Sequence, residues 1–172
     1  MNTKSHTNST TIYYTYLTTP IGKILLSSSN AKLIGLHIEQ QKHFPIIGES
    51  WDYNMHMPIF NKVNIQLDEY FNAKRTHFEI EHALNGTPFQ QHIWQSLAII
   101  PCGTVLSYKT FASLTSYPNA IRAVASAIAK NPLSILLPCH RIVRSNGSLG
   151  EYAAGVDIKE ALLKLEQNVQ TE

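Results

Sequence analysis

Apolar positions along the chain change period twice, and those changes predict its elements. From Thr10 to Leu17 the residues are β-branched and aromatic, and Lys23–Ser28 and Lys32–Ile38 continue in the same style. Turns at Pro20-Ile21-Gly22 and Ser29-Asn30 separate the three runs, which predicts an antiparallel meander. A loop is expected from Pro45 to Pro58. Beyond it Ile59, Val63, Leu67, Tyr70 and Phe71 recur at helical spacing, predicting an amphipathic helix over 58–81. The polar stretch Ala83–Pro88 then suits a domain boundary, dividing the chain into 1–86 and 87–172, with 1–10 a flexible tail. Past the boundary, Phe89, Ile93, Trp94 and Leu97 predict a second helix, broken at Ile99–Thr104. A further helix over Ser107–Leu114, the turn Ser116-Tyr117-Pro118 and a helix over Asn119–Lys130 form a candidate helix-turn-helix. The apolar run Leu133–Leu137 reads as a buried strand.

Composition narrows the possible roles. At 172 residues and 44% hydrophobic, the chain can bury a substantial core, and no apolar run is long enough to span a bilayer. Its polar N-terminus lacks a signal-peptide core, and two cysteines point to a reducing compartment, hence the cytoplasm, or the nucleus in a eukaryote. Scattered histidines without zinc-type spacing argue against a metal. The net charge of +2 is unevenly spread: Pro88–Gly150 carries Lys109, Arg122, Lys130, Arg141 and Arg144 and no carboxylate. Such a field suits a polyanion. On the helix over 119–130, Ile121, Val124 and Ile128 form an apolar stripe opposite Arg122, Ala123, Ser126 and Lys130. That small, basic face could enter a nucleic-acid groove, and it equally fits an alanine-rich surface helix.

The candidate chemistry lies in Pro138-Cys139-His140-Arg141. A thiolate is the reactive form of cysteine, and flanking positive charge is expected to lower the thiol pKa. A small buried residue closing a core strand fits the same position.

Several ordered segments resemble the O6-alkylguanine-DNA alkyltransferases. They are Thr87-Pro88-Phe89-Gln90, Ile100-Pro101-Cys102-Gly103, Ser107-Tyr108, Ile121-Arg122-Ala123-Val124, Asn131-Pro132, Leu137–Val143, Gly150–Ala153 and Lys159–Leu163. The resemblance implies an α/β protein: an N-terminal ribonuclease-H-like antiparallel sheet plus helix, then a mostly helical domain with a winged helix-turn-helix-like DNA-binding unit. It implies irreversible, single-turnover transfer of an alkyl group from O6-alkylguanine, in duplex DNA, to Cys139. The catalytic set so implied is Cys139 as acceptor, His140 as base through a water, Glu160 orienting the imidazole, Asn131 bracing the turn and Tyr108 donating to the departing guanine. Arg122 would replace the flipped nucleotide from the minor-groove side, with Ala123, Ser126 and Arg141 also against DNA. Tyr152 and the Ala153 backbone would line the pocket. The partner is double-stranded DNA, with no membrane and no cofactor, and the protein is expected to act as a monomer. Ala161, Ala154 and Ile121 depart from the family pattern without removing a reactive group.

A non-catalytic lesion-binding protein is the alternative, and Cys139 argues against it. A Cys-His hydrolase would need signatures that do not surround Cys139. A plain transcription regulator leaves Cys139 and His140 unexplained.

Overall fold

The computed structural model describes residues 11–169, so the expected tail at 1–10 lies outside the described residues. Strands β1 (Ile12–Thr19), β2 (Gly22–Ser29) and β3 (Lys32–Ile38) form the antiparallel meander. Strand β2 lies between the other two and is buried from Ile24 to Ser28, which explains its continuous rather than alternating apolar run. The expected loop before Pro58 contains a short fourth strand, β4 (Trp51–Tyr53), paired parallel to β1, so the sheet order is β3-β2-β1-β4. Three residues are too few for a periodic signal. Tyr14 links the two strands, its ring 6.1 Å from Trp51 and 5.5 Å from Tyr53.

Helix α1 (Pro58–Phe71) starts at a proline but ends ten residues earlier than its apolar spacing suggests. Asn72 caps it, donating side chain and backbone to the Asp68 carbonyl, and Ala73 follows in the left-handed region at φ 58°. The chain beyond runs along β3, where Leu33 exchanges backbone hydrogen bonds with Glu81 and Ala83. The apolar residues of that segment therefore pack as an extended strip rather than a helical face.

Helix α2 (Pro88–Leu97) begins with a complete capping box between Thr87 and Gln90. Its Trp94 indole donates to the Ala127 carbonyl at 2.8 Å and so ties α2 to α4 (Ile121–Ala129). Gly86 is required beneath that ring, because a Cβ there would sit 2.6 Å from the indole. Helix α3 (Tyr108–Leu114) is capped by the Ser107 hydroxyl and packs on α4. Strands β5 (Leu106–Ser107) and β6 (Ile142–Val143) pair parallel, and α5 (Val156–Val169) closes the fold. One core spans both halves: Leu26, Leu36 and Phe60 are buried together with Trp94, Val124, Leu133 and Leu162. Among the described residues no helix is long and apolar enough to cross a membrane.

A cysteine pocket and its buried base

Leu133–Leu137 is not a strand. Leu36 donates its amide to the Pro132 carbonyl and accepts from the Ser134 amide, so this segment touches the edge of β3 at one bridge and then coils. Ile135 is in the left-handed region at φ 73°, a conformation β-branched residues rarely adopt. The turn holds because Asn131, 4% exposed, bonds three of its groups. Its amide nitrogen donates to the Leu137 carbonyl at 2.7 Å and to Cys139 Sγ at 3.1 Å, while its oxygen accepts from the Leu133 amide at 3.0 Å. Cys139 then opens a single 3-10 turn, Cys139–Arg141.

Cys139 is buried, and its sulfur faces a cavity of about 240 Å³ that is also lined by Tyr108, Asn131, Tyr152, Ala153 and, from α4, Ala125. The structure thus brings Cys139, Asn131, Tyr108, Tyr152 and Ala153 to one place. Burial pushes the Cys139 thiol up, opposed by the Asn131 hydrogen bond and the positive charge of Lys159. This reverses the expectation that its neighbours in sequence ease its ionisation. Arg141 turns away from the sulfur, and burial pulls the His140 pKa down, so that the imidazole is neutral. Burial likewise pushes Tyr108 and Tyr152 up, which keeps both phenols protonated as donors.

His140 is completely buried and its Nε2 lies 2.7 Å from Glu166 Oε1. Glu160 is the residue expected here, and the structure corrects it. Glu160 is half-exposed and pairs with Lys164 at 3.0 Å on the outer face of α5. Helical phase is the reason: Glu166 lies four residues after Leu162, about 40° round the helix, whereas Glu160 is about 160° from Leu162. Leu162, Leu163, Lys159 and Glu166 are the buried residues of α5, so that spacing would have singled out Glu166. Arg141, expected against DNA, is also corrected. It is buried and forms a bidentate pair with Glu166, Nε to Oε2 and NH2 to Oε1, both at 2.8 Å, while NH1 reaches the Ile100 carbonyl. Burial pushes the Glu166 carboxyl up, but hydrogen bonds from His140 and Arg141 outweigh it and hold the group well below the usual carboxylate range.

Lys159 carried no expected role. It is wholly buried, donates to the Ile142 carbonyl at 2.6 Å and to the Leu149 carbonyl, and burial lowers its pKa to about 8. It pins the two chain segments that flank the cavity. Lys42 does the same from the N-terminal half: its amide donates to the Ala153 carbonyl at 2.8 Å and its ammonium meets Glu151 at 3.2 Å.

Helix α4 places its two faces as its pattern suggests. Val124, Ala127 and Ile128 are buried, and Arg122, Ala123 and Ser126 are exposed on the surface beside the cavity.

Residues 88–168 match the family model described as 6-O-methylguanine DNA methyltransferase, DNA binding domain, and residues 12–84 match its ribonuclease-like domain. A methylated-DNA–protein-cysteine methyltransferase of Methanosarcina mazei is 40% identical over 157 residues, covering 91% of this chain and 98% of that one. The chain belongs to this methyltransferase family. A Haemophilus influenzae member is 35% identical over 92% of this chain and 88% of its own length. The crystal structure of Mycobacterium tuberculosis OGT in complex with DNA superposes with a TM-score of 0.85 at 35% identity, covering 91% of this chain and 94% of that one. Family membership confirms the mixed α/β fold, with a ribonuclease-like half followed by a DNA-binding half.

Proposed function

We propose that this methyltransferase repairs duplex DNA by moving the alkyl group of O6-alkylguanine onto Cys139 Sγ, once per molecule. The observation that carries the proposal is the pairing of a cavity-facing sulfur with a buried His140–Glu166 couple. Nε2 of His140 is committed to Glu166, while Nδ1 is buried with no hydrogen-bond partner among the described residues. A buried polar atom of this kind is a place for a bridging water. Through that water Nδ1 takes the thiol proton, and Glu166 stabilises the imidazolium that forms. Lys159 and the Asn131 amide favour the resulting thiolate. The thiol is therefore ionised on demand rather than in advance, which protects a buried sulfur from other electrophiles.

The S–C bond forms as the C–O6 bond breaks. Tyr108, kept protonated by burial, donates to the base as charge develops on it, and guanine leaves with a proton in place of its alkyl group. The reacting carbon is inaccessible in a stacked duplex, so the nucleotide must be extruded, which costs a few kcal/mol. We assign entry to the minor groove along the small face of α4, with Ala123 and Ser126 allowing close approach and Arg122 filling the vacated stack. Tyr152 and the Ala153 amide line the pocket for the flipped base. We place the division between the two halves at residues 86 and 87, and propose that the protein acts as a cytoplasmic monomer without a cofactor.

The test is intact-mass measurement after incubation with an O6-methylguanine duplex. We expect one added methyl per chain, mapped to Cys139 and absent in Cys139→Ala. Binding to the duplex without any mass increase would instead identify a lesion-binding protein.

A further inference from the structure

The proton-handling residues assigned above all come from the C-terminal half. Tyr70, on α1 of the ribonuclease-like half, reaches the same carboxylate: its hydroxyl donates to Glu166 Oε1 at 2.7 Å. That oxygen also accepts from His140 Nε2 at 2.7 Å and from Arg141 NH2 at 2.8 Å, while Oε2 accepts from Arg141 Nε and from the Gly103 amide at 3.1 Å. Tyr70 is 1% exposed, and its ring is held 5.4 Å from both Phe71 and Phe78. The hydroxyl is therefore fixed in place before any substrate arrives.

We propose that Tyr70 is a positioning residue for alkyl transfer, fixing the Glu166 carboxylate and limiting how strongly it pulls on the His140 proton. The proposal rests on the alkyl-transfer reading above. A donor sharing one carboxylate oxygen draws electron density from it, and so weakens its competing hydrogen bond to His140. With Oε1 left to His140 and Arg141, the carboxylate would bind the imidazolium more tightly and raise the imidazole pKa. The charged and titratable groups around His140 are Glu166 and Lys159 from α5 and Arg141 and Cys139 from its own turn. Tyr70 from α1, and Cys102 from the loop after α2, act on it through Glu166. Of these, Tyr70 is a neutral donor, whose removal changes no formal charge and leaves the ring in place.

Tyr70→Phe in the full chain is the test, with single-turnover alkylation of the methylated duplex followed across pH. Losing the hydroxyl should raise the His140 pKa, so more of the base is protonated at a given acid pH. The acid limb of the rate profile should move up by about half a pH unit or more, slowing transfer severalfold on that limb with little change on the plateau. A purely structural role would lower the melting temperature and leave the limb where it is. In a Glu166→Gln background the same substitution should produce no further shift. A nitrogen NMR titration of His140 should show the same upward displacement without any substrate. An unmoved limb and unmoved His140 titration, in a variant that still alkylates, overturn the role of Tyr70 alone. Absence of alkylation in the unaltered protein overturns the alkyl-transfer reading instead.

Discussion

Asn131→Ala probes the support of the reactive sulfur most directly. The substitution removes the donor to the Leu137 carbonyl and to Cys139 Sγ, and the acceptor of the Leu133 amide. Leu133 is wholly buried, so its amide is left without that partner, while the buried Leu137 carbonyl keeps only the Cys139 amide. The unsatisfied Leu133 amide costs about 1–3 kcal/mol and the second bond lost at the Leu137 carbonyl about 0.5–1.5 kcal/mol, together about 1.5–4.5 kcal/mol. For a protein of this size 1 kcal/mol moves the melting temperature by about 2–4 °C, so a fall on the order of 10 °C is expected. The sulfur loses its hydrogen-bond donor at the same time, so its pKa should rise further, with slower alkylation at neutral pH. Asn131→Asp retains an oxygen for the Leu133 amide but sets a carboxylate against the sulfur. It should lose less stability than Asn131→Ala while impairing thiolate formation more. Thermal unfolding and thiolate absorbance against pH, in a Cys102→Ser background, separate the two effects. An Ala variant with unchanged melting temperature and unchanged sulfur titration would refute the brace.

Three other outcomes bear on the site. Glu166→Gln should slow alkylation by about ten- to a hundredfold, the worth of a hydrogen bond to a charged group, whereas Glu160→Gln should change it less than about twofold, as befits an exposed pair; equal effects would contradict the assignment. Arg122→Ala should impair repair of duplex more than reaction with the free alkylated base, and proportional losses would remove its role in extrusion. Stability should fall on acidification in two stages, each readable from unfolding midpoints. His140 has a lowered folded pKa, so the unfolded chain binds more protons as pH drops below about 6.5. Glu166, also lowered, contributes fully above the ordinary carboxylate range near pH 4 and loses that contribution below it. Glu166→Gln should abolish the second stage.

The strands β1 to β3 and helices α2 to α4 were legible because each has a strong period and local punctuation, such as Thr87-Pro88 or Ser107. Elements fixed by distant contacts were not. Strand β4 exists through its pairing with β1, and Leu133–Leu137 coils because Asn131 and β3 hold it in a conformation that Ile135 would not choose alone. Cys139, Tyr108, Tyr152 and Ala153 came from the segments that resemble the family, and the structure gathers them at one cavity. Glu160 and Arg141 went astray for a common reason. Both roles came with the matched segments Leu137–Val143 and Lys159–Leu163, whereas helical phase and burial decide which way each charge points. Tyr70 lies in no motif and Lys159 lies in a matched segment without a role of its own, and their partners are 96 and 17 residues away.

The contact between the reactive turn and β3 has a consequence after the reaction is over. β3 is the last strand of its sheet, and its outer side would otherwise present unpaired backbone. Residues 81–83 cover it at Leu33, and Pro132 and Ser134 cover it at Leu36. The group that accepts the alkyl chain is therefore five residues from a plug in a sheet edge. An adduct bulky enough to shift Asn131 would loosen that plug and leave a spent molecule with a strand open to pairing. Used and unused copies would then differ in what can adhere to them, as well as in mass.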